Sequence, residues 1–165
     1  CLNHILTGTM SSRIFGAARK KGLAYGVFSD TSVGFYDSAW DFGGQVNLET
    51  AEDLFDIVVR ELKRVVSGTI DPEDVENAKS YALGRYQMGA QTVAQISGFY
   101  TSRYFADDVV KDYDKVPADI LAVSQEQIVE TAREFFQANT WVLAGVSSGE
   151  KELLLKLQEK LEALF

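Results

Sequence analysis

The chain has 165 residues, 46% hydrophobic and 24% charged, which suits one globular domain able to bury a sizeable core. Sixteen Lys and Arg against 24 Asp and Glu leave a net charge of −8, which argues against a nucleic-acid partner, because phosphate binding needs clustered cations. Cys1 is the only cysteine, so an internal disulfide is excluded, and no apolar run is long enough to cross a membrane.

Leu2, Ile5 and Leu6 sit at helical spacing, so residues 2–7 read as the end of an apolar helix. No start or cap signal precedes Cys1, and the natural product is expected to extend upstream. Ser11 and Ser12 are N-cap residues for a short helix over residues 12–21. It carries Ile14 and Phe15 on its apolar side and the basic run Arg19-Lys20-Lys21 in its last turn, where cations suit the helix dipole. Gly22 stops it. Strands follow over Leu23–Tyr36 and Ala39–Asn47, joined by a tight Asp37-Ser38 turn into a hairpin. Gly43 and Gly44 mark a bulge or a close backbone approach.

Thr50 then caps an amphipathic helix with Leu54, Phe55, Val58, Leu62, Val65 and Val66 on one stripe, ended by Gly68. Asp71-Pro72-Glu73-Asp74 is a second helix start, with proline at the first helical position and acids in the first turn. The helical pattern continues to Phe105, with a break expected near Met88–Gln91. After the acidic loop Asp107–Asp114 comes a short helix over Pro117–Ala122. Ser124-Gln125-Glu126-Gln127 is a capping box for a helix to Phe136. Thr140–Val146 reads as a buried strand. Ser147-Ser148-Gly149-Glu150 opens a last helix, whose Leu154, Leu157, Leu161 and Leu164 face the core. Strands and helices do not alternate regularly. The expected class is therefore α+β, an antiparallel sheet with helices packed on one face.

The segment from Gly8 to Val27 resembles the C-terminal-domain signature of the pitrilysin family, which includes insulin-degrading enzymes and mitochondrial processing peptidases. Gly8, Met10, Ser11, Ser12, Arg13, Phe15, Gly22, Leu23, Ala24, Tyr25 and Val27 carry the likeness. These are zinc metallopeptidases with an inverted zinc motif, H-x-x-E-H. The resemblance implies one domain over residues 1–165, the non-metal-binding C-terminal domain, lacking at least one strand that precedes residue 1. It implies a zinc-bearing catalytic domain as partner, on the same or a separate chain, an extended peptide as substrate, and a homo- or heterodimer or a two-half monomer. The compartment stays open, with a soluble cytoplasmic protein as the default.

This chain cannot supply the zinc site itself. Its one histidine, His4, lies beside apolar residues and reads as a packed or surface side chain. There is no C-x-x-C for a thiolate site and no G-x-S-x-G elbow. Asp107, Asp108, Asp112 and Asp114 lack the glycine and terminal glutamate of a calcium loop. Gly43-Gly44 does not lead into a lysine-bearing helix start, so no phosphate loop is present. The chain is expected to hold no cofactor and to be inactive alone, with zinc in the partner domain.

What remains is an arginine and a tyrosine. In the family the C-terminal domain contributes both to the substrate backbone near the scissile carbonyl, and the resemblance assigns these roles to Arg19 and Tyr25. The interval before Tyr25 is one residue shorter than the family pattern. A strict count puts Ala18 at the arginine position; Arg19 takes it if the turn Lys20-Lys21-Gly22 absorbs the deletion. Arg13 reads as a local structural residue. Two other readings stand beside this one: a non-catalytic partner or scaffold subunit of the same family, and a plain interaction domain.

Overall fold

The computed structural model describes residues 1–34, 36–108, 110, 112–138, 140–149 and 151–165, without the side chains of residues 33, 106 and 107. In chain order these form α1 (Leu2–Leu6), α2 (Arg13–Lys20), β1 (Ala24–Val33), β2 (Ser38–Val46), α3 (Ala51–Val66), α4 (Pro72–Met88), α5 (Val93–Asp107), α6 (Val116–Ala122), α7 (Gln125–Phe135) and α8 (Lys151–Glu162). β1 and β2 pair antiparallel as a two-stranded sheet. The class is α+β, as the element order implies.

Local chemistry explains most boundaries. The Asp71 carboxylate accepts the Glu73 N–H at 3.0 Å, and Pro72 opens α4 without an orphaned donor. The long helical run breaks after Met88, and Thr92 starts α5 with a reciprocal capping box to Gln95. Ser124 and Gln127 do the same for α7. Two expected caps work differently. Ser12 occupies the N-cap of α2, but its hydroxyl donates to the His4 carbonyl at 2.6 Å and ties α2 to α1. Thr50 precedes α3 but donates to the Asn47 carbonyl at 3.3 Å, within a 3-10 turn over Leu48–Thr50. The hairpin loop is wider than the expected Asp37-Ser38 turn: the Gly34 N–H donates to the Asp37 carbonyl, and Phe35 lies outside the described residues. Glu150, expected to open the last helix, lies outside them too, as do Val109 and Lys111 of the acidic loop.

The core forms where α1, α2, β1, α3 and α7 meet. Leu6, Ile14, Ile57 and Val65 are its largest fully buried side chains. Burying each stabilises the fold by roughly 1.5–3 kcal/mol before chain entropy is counted. Glu61 is buried beside them and is served by three arginines: Arg13 at 4.0 Å, Arg60 at 2.8 Å and Arg64 at 3.8 Å. Arg13 also pairs with Asp74. One side chain thus ties the start of α2 to both α3 and α4, the local structural role expected of it.

Thr140–Val146 is not the buried strand that its composition suggests. It belongs to no ladder among the described residues, and Val142 and Val146 are 92% and 106% exposed. A strand needs a hydrogen-bonded neighbour, and none of the described residues supplies one. Between this segment, β2, α3 and α8 lies a cavity of about 1480 Å³, lined by Trp40, Phe42, Phe55, Val58, Leu143 and Leu154 among others. The apolar stripe of α3 is therefore divided. Leu54, Leu62 and Val65 are buried, whereas Phe55 and Val58 remain partly open. On α8 only Leu157 of the four expected leucines is fully buried.

Candidate functional site

The end of α2 and the start of β1 build the site. The Gly22 N–H donates to the Arg19 carbonyl at 3.0 Å, and the Leu23 N–H donates to the Ala18 carbonyl at 2.9 Å. This is a Schellman stop, and it needs the left-handed backbone that Gly22 adopts at φ +68°. Leu23 and Ala18 bury together beneath it. The turn is therefore fixed by both hydrogen bonds and apolar contact.

The same turn decides which residue faces the strand. Ala18 is 0% exposed, deep in the core. Arg19 is exposed, one helical step further round. Its guanidinium carbon lies 5.7 Å from the centre of the Tyr25 ring, within cation–π range. Phe15, four residues before Arg19, shares that side of α2. The structure thus brings Arg19 and Tyr25 together across the one-residue deletion and leaves Ala18 inside.

Tyr25 is presented by an irregularity in the ladder. Ala24 opposes Val46 and Gly26 opposes Gln45, so Tyr25 is the extra residue of a β-bulge. Its side chain is 88% exposed, while Ala24 and Val27 on either side point into the core. The expected glycine irregularity at Gly43-Gly44 therefore takes the form of a close approach, with the bulge on the opposite strand. Phe28 opposes Gly43, and its ring lies where a Cβ at Gly43 would be. Phe28 itself carries no sequence motif; the only cue is its place on the strand after Tyr25.

His4 does not join this site. Its ring meets the Tyr81 ring edge-on at 4.6 Å, and its Nδ1 is buried without a hydrogen-bond partner. Burial, ahead of nearby positive charge that includes Arg85, pulls its pKa down to about 4. Among the described residues no cluster of His, Cys, Asp and Glu is arranged to hold a metal ion. With one imidazole, walled in against Tyr81, this chain's donors do not fit a zinc centre. Among the described residues no helix is long and apolar enough to cross a membrane.

Known proteins share this fold. Residues 1–81 match a family model described as the peptidase M16 inactive domain. The uncharacterized zinc protease YmxG of Bacillus subtilis is 25% identical over 146 residues, which are 82% of this chain and 33% of that protein. The chain thus spans about a third of the curated relative it matches. An inactive peptidase domain from Bordetella parapertussis superposes with a TM-score of 0.65 at 20% identity, over 80% of this chain and 72% of that one. A protease from Helicobacter pylori gives a TM-score of 0.67 at 21% identity, over 82% of this chain and 33% of that one. Over residues 1–81, which carry the signature segment, the chain thus matches the peptidase M16 inactive domain, the domain type of the pitrilysin-family resemblance, and the solved structures share its fold over about 80% of its length.

Proposed function

We propose that this domain is the substrate-contacting, non-metal-binding half of a zinc metalloendopeptidase that cleaves peptides or small proteins. It closes over a zinc-bearing catalytic domain, on the same or a separate chain, and presents Arg19 and Tyr25 to the carbonyl of the scissile bond. The observation that carries this reading is the Arg19 guanidinium held over an exposed Tyr25 ring at a bulge. Hydrolysis develops negative charge on the scissile oxygen. A guanidinium and a phenol O–H, both placed before substrate arrives, donate to that oxygen without reorganising. The burial of Ala18 supports Arg19 as the residue that takes this role.

The same reading accounts for the cavity beside β2. A strand from outside residues 1–165 would pair with the edge of β2 that is unpaired among the described residues and fill the space against α3 and α8. The test of function is turnover by the intact protease. Tyr25→Phe should lower kcat by about 10²-fold, the scale of one oxyanion donor, and change KM little. Unchanged kcat in both Tyr25→Phe and Arg19→Ala would remove this pair from the reaction and favour a scaffold subunit.

A further inference from the structure

We infer that the surface beside Arg19 and Tyr25 selects its peptide by charge: it takes an extended segment in which a carboxylate side chain adjoins a bulky apolar one. The inference rests on the reading of this surface as a peptide-contacting one. It adds the chemical class of the segment.

The apolar part is a cleft of about 430 Å³ lined by Phe15, Tyr25, Gly26, Val27, Phe28 and Gly44 among others. That volume lies within the range of small-ligand sites. Phe28 is 58% exposed and Tyr25 is 88% exposed, so two aromatic rings meet solvent on one short stretch of strand. Aromatic rings presented this way are the usual anchors of an interface. The cleft is also preformed. The Phe28 ring rests over Gly43 across the ladder, and nothing lies within 4 Å of where a Cβ at Gly26 would be. An incoming side chain finds one wall fixed and the floor open.

Charge supplies the second half. Arg19, Lys20 and Lys21 are consecutive and exposed at the end of α2, in a chain whose net charge is −8. Among the described residues none of the three forms an ion pair. The C-terminal end of α2 leaves these cations as the favourable element of the helix dipole, yet still open to an external anion. Two residues beyond Phe28 along β1, outside the cleft lining, Asp30 stands directly opposite Asp41 in the ladder. Two carboxylates there repel a second acid. The surface therefore runs from basic through aromatic to acidic, and it favours one acid placed beside the apolar residue over a polyacidic run.

The experiment uses the 165-residue chain and fluorescein-labelled hexapeptides of one frame, Ser-Gly-Glu-Phe-Gly-Ser and Ser-Gly-Lys-Phe-Gly-Ser, with binding read by anisotropy. The Glu-Phe peptide should bind about 10-fold tighter at low salt, and the preference should shrink at about 150 mM salt, where exposed charges are screened. The double variant Lys20→Glu, Lys21→Glu should reverse the order of the two peptides. Phe28→Ala should weaken both about 10-fold and leave their order unchanged. Equal affinities, an order unmoved by charge reversal, or no measurable binding to either peptide would overturn the inference. Arg19 and Tyr25 are untouched in these variants and the readout is binding. Loss of the preference therefore leaves the turnover reading standing, and unchanged turnover in Tyr25→Phe leaves the preference standing.

Discussion

The first half of the chain and the second are built to different standards. Up to Ala78, α1, α2, β1, α3 and the start of α4 bury most of the core side chains, and α7 adds Ile128, Val129 and Ala132. Beyond it α5 has no buried residue among those described, and 140–149 lines an open cavity without joining a helix or strand. The family match covers residues 1–81, the same well-packed part. The difference teaches where the site draws its rigidity. Arg19 and Tyr25 sit on elements locked by Ile14, Ala18, Leu23 and Val27. The peripheral helices hold on through local caps and small clusters, such as Tyr86 and Tyr113, whose hydroxyls each donate to the other's carbonyl at 2.8 Å.

The largest test of this contrast is cavity creation. Leu6→Ala, at a fully buried site, should cost about 2–5 kcal/mol in urea unfolding. Val93→Ala, at an 85% exposed residue that begins α5, should stay within about 0.5 kcal/mol. Similar midpoint shifts for the two would erase the distinction between the halves. A smaller effect belongs to His4, in the seam between α1 and α4. Its folded pKa is depressed to about 4, whereas the unfolded chain takes up that proton near the ordinary histidine value. Stability should therefore hold above pH 6.5 and decline as pH falls from there to about 4, by about 1 kcal/mol once solvent screening is allowed for. His4→Phe should flatten that limb of the pH profile; an unchanged slope would place the acid sensitivity elsewhere. The smallest effect concerns the exposed ribbon. Asp41→Thr should relieve the repulsion with Asp30 and raise stability by about 0.2–1 kcal/mol, with thermal unfolding as the check.

Much of this fold was legible because its helix boundaries are written in local chemistry. Asp71-Pro72, the break after Met88, and the Ser124 box act within one turn of chain, and sequence spacing captures them. Thr140–Val146 has the composition of a strand but forms none, because a strand is a relation between two segments and no partner stands among the described residues. The Glu61 network was invisible for a similar reason: Arg13 and Asp74 meet it only after α2, α3 and α4 have docked. At the site, the motif identified Arg19 and Tyr25 but left Ala18 in contention. The phase of α2, set by burying Ile14 and Ala18, puts Ala18 inside and Arg19 at the surface. The bulge at Tyr25 had no sequence cue, because the residues that define it lie on β2.

That bulge has a consequence for how such domains change over generations. Tyr25 stands outside the pairing register and its side chain touches little of the core. Replacing it alters chemistry at the surface while leaving the ladder and the packing in place. On the proposed reading, a scaffold of this kind gains or surrenders a substrate-contacting group by a single codon and remains folded. On that reading, such a change weakens or restores one contact with substrate and needs no new architecture.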